Sequence, residues 1–91
     1  MAPVPFDPAP YVELARRHAP GEAWLPGALA ACTTAWWESP AYAYLTDPAT
    51  WRTVERCVEL DGGAVHVVVD VLAGARVGGL ELLHELRRLT G

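Results

Sequence analysis

Ala64-Val-His-Val-Val-Val-Asp-Val-Leu-Ala-Gly-Ala-Arg-Val-Gly-Gly-Leu-Glu-Leu-Leu83 decides the fold class of this chain. Its run from Ala64 to Leu72 is rich in β-branched side chains and reads as a strand, which the small residues Ala73-Gly74-Ala75 then turn. Arg76 to Leu82 can pair back as a further strand, although local propensity alone would also allow helix over 80–89. Upstream, Arg52 to Leu60 alternates in polarity, and Asp61-Gly62-Gly63 supplies a hairpin turn. A two-residue turn there sets Val54, Arg56, Val58 and Leu60 on one face with Val65, Val67, Val69 and Val71. This valine face is the expected core side, with Arg56 reaching out past the sheet edge. The opposite face collects Thr53, Glu55, Cys57, Glu59, His66, Val68, Asp70 and Leu72, with Cys57 opposite or nearly opposite His66. It is expected to meet water or a partner.

Toward the N-terminus, Pro3, Pro5, Pro8 and Pro10 predict an extended arm over residues 1–10. A helix starts near Pro10, since proline suits a first helical turn, and stops at Ala19-Pro20-Gly21. Tyr11, Leu14, Ala15 and His18 share one of its faces. Residues 22–38 are ambiguous: Pro26 can open a helix, whereas Cys32-Thr-Thr-Ala-Trp-Trp37 has strand character. The favoured reading is a short helix and then a strand from about Thr33 to Trp37. Glu38-Ser39-Pro40 is a turn, Ala41 to Leu45 a strand, and Thr46-Asp47-Pro48 closes it. At the far end, Leu82, Leu83, Leu86 and Leu89 follow helical spacing, with Arg87 and Arg88 suited to a helix C-terminus. The expectation is one α+β domain over 1–91. Its parts are a proline-rich arm (1–10), a helical segment (11–38), an antiparallel sheet module of three to four strands (41–83) and a short C-terminal helix (83–90).

A chain of 91 residues has room for one core, yet 52% of it is hydrophobic, with four Trp and three Tyr. That surplus predicts a surface which a partner covers, and the expectation is a homodimer or one protein partner. Formal charge is −4 and the seven basic residues, all Arg, are scattered, which argues against a nucleic-acid surface. Lys, Ile, Asn and Gln are absent, as codon usage in a GC-rich genome would produce. No apolar run is long enough to span a membrane, and the first residues lack the pattern of a secretion signal. Met1-Ala2-Pro3 therefore reads as the start of a cytoplasmic protein.

Candidate chemistry is sparse. Cys32 and Cys57 lie outside any CxxC pattern and read as small buried hydrophobes rather than a disulfide. Glu55, Cys57, Glu59, His66 and Asp70 are metal-ligand types on one face, but their spacing is that of an ordinary half-exposed hairpin. No metal site and no cofactor is expected. Ser39 precedes a proline and lacks the elbow of a hydrolase nucleophile, and His18 and His84 read as helix-surface residues. No catalytic set emerges, which points away from an enzyme. Trp36, Trp37, Tyr42, Tyr44 and Trp51 crowd one short stretch and are the ligand or interface candidates. Adjacent Trp36 and Trp37 on a strand would point to opposite faces.

Val69-Asp-Val-Leu-Ala-Gly-Ala-Arg-Val-Gly-Gly-Leu-Glu-Leu-Leu83 resembles the closing motif of the small bacterial DUF2283 family, V-D-x-D-x-x-G-R-V-V-G-I-E-I-L. Val69, Asp70, Arg76, Val77, Gly79, Glu81 and Leu83 match directly, while Leu72 and Ala75 stand where the family has Asp and Gly. Ala41-Tyr-Ala-Tyr-Leu45 is similar to its opening segment, and residues 1–35 have no counterpart. The resemblance implies a compact antiparallel sheet with 76–82 as strand. Some members resemble the antitoxin half of toxin–antitoxin pairs. The functional expectation is a non-enzymatic protein-interaction module, antitoxin-like or self-associating; the alternative is a small-ligand-binding domain using the Trp/Tyr cluster.

Overall fold

The computed structural model describes residues 2–51 and 53–90. Arg52, expected to open a strand, and the side chain of Leu89, expected on the last helix's apolar stripe, lie outside the described residues, as do Met1, Gly91 and the side chain of Thr90.

The fold is α+β. Its strands are β1 (Val4–Pro5), β2 (Thr34–Ser39), β3 (Tyr42–Tyr44), β4 (Val54–Asp61), β5 (His66–Leu72) and β6 (Arg76–Leu82). Its helices are α1 (Ala9–His18), α2 (Leu25–Ala30) and α3 (Leu83–Thr90). All strands join one antiparallel sheet in the order β1-β2-β3-β6-β5-β4. Six strands replace the expected three to four because the proline-rich arm supplies β1 and residues 34–39, expected outside the sheet module, supply β2 beside it. Val4 pairs with Ala35, and the Phe6 N–H donates to the Thr33 carbonyl at 2.9 Å. Proline is tolerated there because β1 is an edge strand. The helix begins at Ala9, ahead of Pro10, whose missing N–H falls in the first turn where no intrahelical partner exists.

α1 and α2 cover one face of the sheet. Val12, Leu14 and Ala15 of α1 and Leu25 and Leu29 of α2 meet Val58, Leu60, Val67, Val69, Leu80 and Leu82 from the strands. Val12, Leu14 and Ala15 are the buried residues of α1, while Tyr11 is half-buried and His18, expected at the helix surface, is exposed.

The β4–β5 hairpin keeps the predicted faces but not the predicted register. Its loop has four residues, closed by the Gly62 N–H donating to the Val65 carbonyl at 2.9 Å, and Asp61 pairs with His66. A shift by two residues preserves face parity. It does change partners, so Cys57 lies opposite Asp70 rather than His66. A bulge between Val54 and Arg56 turns Val54 off the core face, and it is 41% exposed. Arg56 does not run past the sheet edge. It grips Glu22 in the α1–α2 connection with both terminal nitrogens, at 2.5 and 2.8 Å, and lies 6.0 Å from the Trp24 ring centre. The β5–β6 turn places Ala75 at φ 55°, a left-handed conformation that costs an L-residue about 1 kcal/mol or more.

Candidate functional site

The face away from α1 and α2 is built in two rows set by strand register. One runs Trp36, Tyr44, Gly79, Asp70, Cys57, and the next Tyr42, Glu81, Val68, Glu59. α3 meets this sheet at the His66 end, where His84 Nδ1 lies 3.2 Å from both the backbone N and O of His66.

Trp51, carried in from the 3₁₀ turn at Pro48–Thr50, lies over the glycines of β6. A Cβ at Gly79 would stand 2.9 Å from Tyr42 Cζ and 3.1 Å from Trp51 Cη2, and one at Gly78 would stand 3.0 Å from Trp51 Cζ2. The Gly78-Gly79 pair is therefore the floor on which the rings rest. Tyr42 and Tyr44 meet edge to face at 5.1 Å, and Tyr44 and Trp51 likewise at 5.2 Å. Trp51 Nε1 donates to the Thr46 carbonyl at 3.0 Å, which fixes the end of this ladder.

The ring hydroxyls are tied to carboxylates. Tyr44 donates to Glu38 at 2.9 Å and Tyr42 to Asp70 at 2.5 Å, while the Cys57 thiol donates to the other Asp70 oxygen at 3.2 Å. Burial first, and then the bond to Asp70, push the Tyr42 phenol well above its usual range. The same carboxylate raises the Cys57 thiol. Tyr42, Asp70 and Cys57 thus form one hydrogen-bonded trio across three strands. Cys57 is exposed, not a buried hydrophobe, and both cysteines are free thiols.

The structure thus brings together four of the five aromatic candidates, Trp36, Tyr42, Tyr44 and Trp51. Trp37 belongs to the other side, opposite Ala43, with its ring 6.5 Å from that of Phe6, and it lines a cleft of about 430 Å³ with Ser39 and Pro40. Sequence reading missed the carboxylates that complete the face, Glu38 and Glu81. It also missed the glycine floor, for which Gly78-Gly79 inside a strand was the available signal.

At the hairpin end, Glu59, Asp61 and His66 gather their ligand atoms within 4.8 Å of one another, a grouping the shifted register creates. His66 Nε2 is enclosed without a hydrogen-bond partner, 3.6 Å from Glu59 Oε2. Its Nδ1 lies 3.2 Å from the Arg87 guanidinium. Arginine has only protons to offer, so Nδ1 accepts and the ring proton sits on Nε2, directed toward Glu59. Ser39 is exposed and accepts the Ala41 N–H at 3.1 Å. His18 stands exposed at the end of α1, away from the aromatic rows.

Comparisons with protein-family models, with curated proteins and with solved structures find no match for this chain. Among the described residues no helix is long and apolar enough to cross a membrane.

Proposed function

We propose that this chain is a non-enzymatic protein-interaction module that uses its uncovered sheet face to engage a cationic segment of a partner protein. The observation that carries this reading is the row of Trp36, Tyr42, Tyr44 and Trp51 set among the carboxylates of Glu38, Asp70 and Glu81. Aromatic faces beside carboxylates suit an arginine or lysine, which gains from the ring quadrupole and from the charge together. Neutral hydroxyls occupy Glu38 and Asp70, so they orient the carboxylates without cancelling their charge. Stacking two copies face to face would oppose acid to acid, which favours an unlike partner over a homodimer through this face. An antitoxin-like pairing with one cognate protein is the form of this reading that the DUF2283 resemblance adds.

Co-purification from the native host tests the proposal, using the wild-type chain and the Trp36→Glu variant. The expected result is a protein retained by the first and lost by the second at unchanged melting temperature. Equal retention by both chains removes the aromatic face from the interaction. Light scattering on the purified chain gives the competing outcome, a homodimer that Trp36→Glu dissociates.

A further inference from the structure

The sheet ends in two edges that differ in capacity. β1 has two residues, one of them Pro5, and offers little backbone to pair with. β4 has eight residues and, among the described residues, no strand pairs with its outer side. The bond from Gly62 to Val65 fixes the ladder's alternation, so Val58 and Leu60 bond inward to β5. The N–H and C=O groups of Cys57, Glu59 and Asp61 then point outward from the sheet. Their side chains, and that of Glu55, are exposed. Arg56, the basic residue of the strand, is held by Glu22 on the helix side. The edge is therefore a strand-length row of backbone donors and acceptors flanked by acids.

We propose that the free edge of β4 receives an added strand from a partner protein, one carrying lysine or arginine at alternate positions. This inference rests on the interaction reading above, but it assigns binding to the backbone edge rather than to the rings. A second copy of the chain is the wrong occupant. Two-fold pairing centred on Cys57 sets Glu55 against Glu59 of the second copy, and pairing centred on Val58 sets Glu55 against its Asp61. Like charges directly opposite are destabilising, whereas opposite charges in those places stabilise the pair. The acids that block self-pairing thus select a cationic strand, in the manner of β-augmentation.

The test uses the full chain and the acetylated peptide Thr-Lys-Val-Lys-Val-Lys-Val-Thr, with two isomers N-methylated either on the lysines or on the valines. Calorimetric titration is expected to show binding of the parent peptide. One methylated isomer should bind about tenfold more weakly or worse, because several backbone hydrogen bonds are blocked, and the other should bind like the parent. Glu59→Lys should weaken the parent peptide by about threefold and strengthen a version with glutamate in place of lysine. Absence of binding, or equal binding by both isomers, overturns strand addition. Loss of binding in Trp36→Glu but not in Glu59→Lys also overturns it, while leaving the aromatic-face reading intact. A dimer of the chain that the peptide cannot dissociate identifies a second copy as the occupant and overturns the proposal as well.

Discussion

On the helix side of the sheet Val67, Val69 and Leu80 have no solvent exposure, whereas Val68, between two of them in sequence, remains half-buried beside Glu59 and Glu81. The fully enclosed residues of the first side are aliphatic, with Phe6, Tyr11 and Trp24 packed partly buried at their margin, and among the described residues no polar or charged residue is buried. The second is aromatic and acidic, and its hydroxyls and carboxylates bond to one another across strands. Aliphatic side chains leave water completely because they have no polar group to satisfy. Tyrosine and tryptophan suit a half-covered surface because they combine apolar area with a polar handle. The 52% hydrophobic content is thus divided by chemistry: what holds the fold together is branched and enclosed, and what is left outward is ringed and rimmed with charge.

The contrast breaks most readily at its centre. Leu80→Ala opens a cavity under both helices and should cost about 2–5 kcal/mol in urea unfolding, with the aromatic rows left in place. Gly79→Ala acts from the other side. Its methyl group would press on Tyr42 and Trp51, and the rings must shift at a cost of about 1–3 kcal/mol, read in the same melts and in a change of tryptophan emission. Tyr44→Ala removes two edge-to-face contacts and should cost about 1 kcal/mol, well below the core change. Should Tyr44→Ala equal Leu80→Ala, the open face would be structural core and the division above would fail.

The smallest effect is electrostatic. Hydrogen bonds from Arg56, and then from Trp24, hold the Glu22 carboxyl down at about 2, against an ordinary value of 4.5. A depressed folded value means that the pair contributes stability above the unfolded value. That contribution disappears as pH falls from 4.5 toward 2. Glu22→Gln should therefore lower stability slightly at neutral pH and flatten the acid limb of the stability profile. Salt should shrink the difference, since Arg56 is 45% exposed.

Much of the sheet was legible because alternation is a local signal. The valine face of β5 follows from a period of two whichever strand lies beside it. The proline-rich arm is extended where expected, at Val4–Pro5, but its pairing with β2 was not legible, because proline argues against helix and central strand and is silent about a two-residue edge. Arg56 was misread because its partner Glu22 lies 34 residues away and its own neighbourhood gives no hint of it. The aromatic candidates were visible as a crowd, but Trp37 could be separated from the other four only once β2 had been placed beside β3.

By itself the sequence determined the alternating strands of the central hairpin, which of its faces is apolar, and that the aromatic residues crowd one short stretch. Tertiary structure decided the four-residue loop, and with it the pairing of Cys57 with Asp70 and of Asp61 with His66. It also decided the strand order that lays Trp36, Tyr44, Gly79, Asp70 and Cys57 in one row and leaves β4 at the edge. The physical reason is that side-chain periodicity fixes which way each residue faces, while the neighbour across a sheet is chosen by how several distant strands jointly bury their apolar face against α1 and α2.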